Sequence, residues 1–484
     1  MRVIIFLLSL IYIVAAESFE PIRCRISAVG AHIQSLGQKS TTLRNPKLHD
    51  RIPNYMVVAS QTDTRQKASL QTSTVNLLKN CVGGSAFSLS AKLLSFASLS
   101  DHSILPKSTS LIFLLCLWAS YTFYMVTDTC CMTGSTSYAD CWAESVSPKT
   151  KWVAQAVVGI GPLVGCLANT IILTDLFSGI LQSLGAPVTI FANRNLVAAV
   201  LCIGVLYPLC SLPNLNAMKN ASLLGLLGQV IATLVIALRA MDKSYFPGGV
   251  YALEHNAAAV VKASVLPPST GIYQWCVFAA LLSYCCVSHY NAPKYYNELH
   301  NPSVQRTTTM ILTAYLGSAL FYALTLYLGI AAFGGNCKPY LLNSLSAADP
   351  LAVLARVAIA ASIIASTPLM FMNVRNTLIN IAEKRILLLA NNRAMAALLV
   401  FTIGAISTQL HDVGKIGSIA GALLGINIMF TLPPIMHAGA VHKQATTAGS
   451  KVDYLIILKD LLLAVCGASL SVVAATHTLS TLYK

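Results

Sequence analysis

The chain has 484 residues, 55% of them hydrophobic and only 10% charged, with a formal net charge of +15 and a mean hydropathy of +0.67. A soluble domain carries about 25% charged residues, so this chain cannot cover a water-facing surface and lipid must cover it instead. The basic excess sits in tails and short loops with almost no aromatic interleaving, the pattern of membrane loops rather than of a nucleic-acid surface.

Residues 3–16 form an apolar run after Met1-Arg2 and close on Val14-Ala15-Ala16. Fourteen residues reach only about 21 Å as helix, too short for a bilayer core of about 30 Å. This predicts either a signal peptide cut after Ala16 or an uncut signal anchor. Residues 17–73 are basic, rich in Ser and Thr and without periodicity. They read as a disordered tail or a transit peptide, and Ala16-Glu17-Ser18-Phe19 is similar to the cleavage box of algal complex-plastid proteins.

From residue 74 to 480 the chain predicts one membrane domain. Its spans lie near 74–98, 108–127, 152–181, 196–214, 220–240, 271–290, 309–333, 350–374, 394–410, 415–437 and 455–479. That makes an all-α integral membrane protein of about 11 transmembrane helices. The first span is weak, carrying Lys79, Lys92 and several serines. Twelve lysines and arginines flank the spans on the side that holds residue 74, against eight on the other, which favours a cytosolic position for that side. Asn220-Ala221-Ser222 reads as the N-cap of the fifth span.

The sixth span carries Ser288-His289-Tyr290-Asn291-Ala292-Pro293 inside an apolar run, followed by Tyr296, Glu298 and Leu299. Each unpaired polar group in hydrocarbon costs several kcal/mol, so a helix with His, Asn and Pro near its middle is expected to be broken. Broken helices at membrane depth are the substrate sites of secondary transporters. The first span holds Gly83-Gly84, which lets the chain turn. A half-helix starting there aims its positive end at an anion such as a carboxylate.

These residues resemble the amino acid/auxin permease family, which contains vacuolar amino acid transporters. Asn76-Leu77-Leu78-Lys79 through Gly83-Gly84-Ser85 and Leu89-Ser90 is similar to that family's first span. His289, Pro293, Tyr296, Glu298, Leu299, Asn301-Pro302-Ser303 and Arg306 are similar to its sixth-span block. Ala332-Phe333-Gly334, Pro368-Leu369-Met370-Phe371 and Arg375-Asn376 match later positions. The resemblance implies a LeuT-type fold of the APC superfamily, two five-helix repeats of inverted topology. It implies a secondary active, proton-coupled transporter of small amino acids that works by alternating access and is not an enzyme. Substrate contacts would be Asn80, Gly83, Gly84 and Ser85 in the first span and Ser288, His289 and Asn291 in the sixth.

Where the family has glycine, proline and a small residue, this chain has Ser85, Ser90 and Lys92. That departure leaves open a non-transporting amino acid sensor with the same fold. Asp175 is either a proton carrier or a carboxylate at the water interface. His289 is either a proton site or a structural histidine. Ser366 and Thr367 could offer oxygens to sodium, and Glu298 reads as a gate or loop residue. No nucleotide-binding loop, metal-ligand spacing or nucleophile elbow occurs. The driving force is therefore expected to be a proton or sodium gradient, with no cofactor. The expected partners are the amino acid and the bilayer, in an endomembrane, a vacuolar membrane or a plastid envelope.

Overall fold

A computed structural model describes residues 67–97, 101–191, 193–212, 221–252, 271–381, 392–410 and 412–480. The signal-like segment, nearly all of the basic tail and the Asn220 cap lie outside these residues. Among the described residues the secondary structure is helical, apart from one isolated bridge between Ala68 and Leu299.

The first span is split. Helix α1 runs Leu70–Cys81 and α2 runs Leu89–Leu94, joined through extended backbone at Val82 and Gly83 and a short 3-10 turn over Gly84–Ser88. Ser69 starts α1 by accepting a hydrogen bond from the Thr72 amide, and so satisfies one of the donors a helix start leaves open. Helices α3 (Ile104–Thr133), α4 (Tyr138–Ser145), α5 (Lys151–Ser183), α6 (Arg194–Cys210) and α7 (Ala221–Met241) follow. α3 stops at Gly134, whose φ of 67° is left-handed backbone that favours glycine.

The sixth span is split in the same manner. α8 (Ile272–Cys286) ends before extended Val287, a 3-10 turn covers His289–Asn291, and α9 runs Ala292–Glu298. Then come α10 (Val304–Phe333), α11 (Pro350–Ile381), α12 (Asn392–Gln409), α13 (Val413–Thr447) and α14 (Tyr454–Ser480). Eight helical segments are long and apolar enough to cross a membrane, and α6 and α12 are shorter apolar helices. Leu458, Leu462, Val465 and Val472 of α14 are each more than half exposed, a face that lipid covers.

Several boundaries differ from the sequence reading. α13 continues to Thr447, ten residues past the expected end at 437. Polar His437 marks a stop in a hydropathy reading, yet here carboxylates satisfy it and the helix goes on. α4 was not anticipated, because eight residues with Asp140 and Glu144 carry no apolar signal. It starts at Ser137, which accepts from the Asp140 amide.

Small residues bring the helices close. A Cβ built on Gly421 of α13 would lie 1.8 Å from the Ala280 carbonyl oxygen of α8. A Cβ on Gly228 of α7 would lie 2.4 Å from the Ala358 carbonyl oxygen of α11. Close backbone approach at glycine is how membrane helices pack when burial against lipid gives no driving force.

Candidate functional site: the paired helix breaks

The two breaks lie against each other. Cys81 Sγ at the end of α1 is 3.4 Å from Ser288 Oγ at the break after α8. Two tyrosines of α10 fix the pair from one side. Tyr322 donates its hydroxyl to the Cys81 carbonyl, which the end of α1 leaves without a helical partner. Tyr315 OH lies 2.8 Å from Ser288 Oγ. The tyrosines are seven residues apart and so share one face of α10.

Gly83, Gly84 and Ser85 are partly exposed, as is Val287, while Cys81, Val82, Ala86, Phe87 and Ser288 around them are buried. The start of the 3-10 turn thus opens onto space inside a packed surround. Its first amides have no preceding helical carbonyls to bind, so they are free to meet an anion. Three buried polar atoms in this region have no hydrogen-bond partner: Asn80 Nδ2, Ser88 Oγ and Tyr340 OH. Asn80 stands beside Tyr295, whose hydroxyl donates to the Asn76 carbonyl. A Cβ on Gly84 would sit 3.7 Å from Tyr340 OH and 3.4 Å from Ile363 Cδ1. Tyr340 and Phe321 meet Phe87 edge-on, each 6.3 Å between ring centres, and form an aromatic wall. Buried polar groups are normally satisfied, so donors left open beside a partly exposed backbone turn suit a small polar ligand.

The other residues singled out in the sequence are placed as follows. His289 is fully buried and faces α3 and α10. Its Nε2 is 3.0 Å from the Ala119 carbonyl and 3.0 Å from Thr122 Oγ1, and Nδ1 is 3.4 Å from Tyr315 OH. A carbonyl only accepts, so Nε2 carries the proton and Nδ1 takes the tyrosine hydroxyl; the neutral ring is satisfied there. Asn291 is half-buried and its amide donates to the Ser288 carbonyl, closing the turn. The Glu298 carbonyl accepts from Ala68 N at 2.8 Å, and His300 N donates to the Ala68 carbonyl. These two bonds strap the chain before α1 to the end of α9.

Asp175 on α5 is ion-paired with Arg194 at the start of α6 and accepts from Asn343 Nδ2 at 3.0 Å. It stands at a join between α5, α6 and the loop before α11, where its charge faces Tyr340. Ser366 and Thr367 on α11 both donate to the Ile363 carbonyl of their own helix, and Thr367 Oγ1 accepts from Asn169 Nδ2 at 3.2 Å. One turn earlier, Ser362 Oγ receives the Lys79 ammonium at 3.4 Å and itself donates to the Gly225 carbonyl of α7 at 3.0 Å. Lys79 therefore occupies the meeting point of α1, α7 and α11. A Cβ on Gly225 would collide with its stem, 2.0 Å from Cε.

Of the departures from the family pattern, Ser90 is a packing matter. Ser90 Oγ reaches the Thr325 and Leu326 carbonyls of α10 at 3.4 and 3.3 Å. Gly329 leaves room for it, since a Cβ there would be 2.4 Å from Ser90 Oγ. Lys92 faces the charges of Asp412 and Lys415 at the start of α13.

Sequence reasoning did not single out Tyr315, Tyr322 or Tyr340. The seven-residue spacing of the first two in an apolar helix was the available signal. Tyr340 lies in a loop after α10, where no periodicity could mark it.

The family model described as "Transmembrane amino acid transporter protein" matches residues 66–480. The chain is similar to "Vacuolar amino acid transporter 2" of Saccharomyces cerevisiae, 20% identical over 457 residues that make up 92% of this chain and 90% of the relative. It is also similar to "Solute carrier family 38 member 8" of Mus musculus, 25% identical over 245 residues, 47% of this chain and 54% of that protein. Among solved structures, MhsT in complex with L-phenylalanine aligns with 85% of this chain and 99% of its own, at 12% identity and a TM-score of 0.48.

Proposed function

Because this chain belongs to the transmembrane amino acid transporter family, we propose that it carries small amino acids across a membrane by alternating access, driven by a proton gradient. The substrate would lie at the paired breaks. Amides of Gly83, Gly84 and Ser85 would take its carboxylate, and carbonyls around Ser288 to Asn291 its ammonium. Asn80 Nδ2, Ser88 Oγ and Tyr340 OH would supply further hydrogen bonds.

One observation carries this reading. Among the described residues, Tyr340 OH lacks a partner and lies at the partly exposed helix-start backbone, 3.7 Å from where a Cβ on Gly84 would stand. Leaving a buried donor unsatisfied costs about 1–3 kcal/mol, which an incoming amino acid would relieve.

Lys79 favours protons over sodium. A fixed ammonium already stands where α1 meets α11, and it would repel a second cation drawn to Ser366 and Thr367. The placement of Ser90 against α10 supports transport over the sensor reading, because that departure is explained by packing. The yeast relative's vacuolar name favours a vacuolar or other endomembrane location for this multi-pass protein. Uptake of labelled amino acids into proteoliposomes tests the reading, with Gly83→Val as control: uptake in wild type and none in the variant is expected. Substrate-induced thermal stabilisation without uptake under any gradient would replace it with the sensor.

A further inference from the structure

α3, α13 and α14 meet at a cluster of ionisable side chains well removed in sequence from both breaks. His437 of α13 stands between two carboxylates. Its Nδ1 is 2.6 Å from Asp460 Oδ2 of α14, and its Nε2 is 3.2 Å from Asp128 Oδ2 of α3. The Asp460 side chain is fully buried, while that of Asp128 is 26% exposed. Asp460 Oδ1 has no hydrogen-bond donor. Lys459 Nζ stands 3.8 Å from it and donates to Tyr121 OH of α3 at 2.6 Å.

Other ionisable groups also face the cluster: Tyr296 of α9 looks onto Asp128 and contacts Cys131 of α3. Tyr124 of α3 faces Asp128. From α4, Glu144 pairs with Lys443 at the surface at 3.6 Å, Asp140 pairs with Lys151, and Tyr138 donates to the Ile428 carbonyl.

Proton counting follows from the geometry. An ionised carboxylate only accepts, and a neutral imidazole has one N–H. Two carboxylates on the two ring nitrogens therefore need one proton beyond the neutral ring, held on the imidazole or on a carboxyl. With that proton, Asp128, Asp460, His437 and Lys459 together sum to zero charge. Without it, the cluster keeps a net negative charge in a buried place, and one carboxylate faces a nitrogen lone pair. That state is costly, and the simplest relief is to part α3 from α13 and α14, since Asp128 is the more exposed carboxylate and has the longer contact.

We propose that Asp128, His437 and Asp460 form a proton-binding site that is filled in this arrangement of helices and whose emptying loosens α3 from α13 and α14. The proton would enter and leave by Asp128. The inference rests on the transport reading above and assigns its coupling proton to a cluster that shares no residue with the substrate site.

The test uses full-length protein in proteoliposomes and the amino acid that wild type takes up best from a panel of the common twenty. Two quantities are read: accumulation under an imposed pH gradient, and gradient-free exchange. His437→Gln is expected to keep exchange while accumulation falls by about tenfold or more, within the usual range of coupling between sites. Accumulation equal to wild type in His437→Gln would overturn the proposal. Should that variant aggregate, Asp128→Asn, at the more exposed carboxylate, must give the same split, and wild-type accumulation in it overturns the proposal equally. Wild type that exchanges but ignores the pH gradient overturns proton coupling as a whole. Wild type that neither exchanges nor accumulates overturns the transport reading itself.

Discussion

Tyr322 and Tyr340 separate what holds the breaks from what would meet a substrate. Tyr322 closes the Cys81 carbonyl, so Tyr322→Phe leaves a buried acceptor unpaired and should cost about 1–3 kcal/mol, read as a lower unfolding temperature in detergent. Tyr340 has no partner for its hydroxyl, so Tyr340→Phe should leave stability within about 0.5 kcal/mol. It should instead weaken apparent substrate affinity by about tenfold, the effect of losing one hydrogen bond to a charged group. Equal affinity in Tyr340→Phe would remove that residue from the site. The glycine pair, Ser288, His289 and Asn291 could be singled out from sequence because polar and flexible residues in an apolar run are costly unless the helix breaks there. What His289 does could not be read the same way. Its partners Ala119, Thr122 and Tyr315 come from α3 and α10, and a residue's spacing within its own helix says nothing about which foreign helix it will face. Asp175 shows the same limit, since Arg194 and Asn343 reach it from elsewhere in the chain.

At the level of elements, the broken helices work only if their neighbours hold still. α13 lies on α8 through Gly421, whose Cβ would sit 1.8 Å from a backbone oxygen that cannot move aside. Gly421→Val should therefore destabilise the protein by about 3 kcal/mol or more, with a matching drop in folded yield. Melting like wild type would mean that α13 and α8 are not in this contact. The interface of α1, α7 and α11 depends on Lys79 over Gly225. If its ammonium is the cation of that interface, replacing sodium with choline should leave wild-type uptake unchanged. Lys79→Gln should reduce uptake by about tenfold or more, as loss of a buried charge contact does. Sodium-stimulated uptake in wild type would contradict this and return Ser366 and Thr367 to consideration as sodium ligands. Helix positions were largely legible from apolar runs. The ends were not: α13 runs past His437 because Asp128 and Asp460 satisfy the ring, a fact held by two other helices.

For the whole molecule, composition alone demanded a membrane, and the lipid-facing leucines and valines of α14 agree with it. The two broken segments stand five helical segments apart in the chain, as an internal duplication would place them. The first measurement to make is uptake of labelled amino acids by proteoliposomes, with and without an imposed pH gradient, in wild type and Gly83→Val. The account predicts gradient-driven accumulation that the variant loses. Binding detected by thermal shift, with no uptake under a proton or sodium gradient, would contradict it.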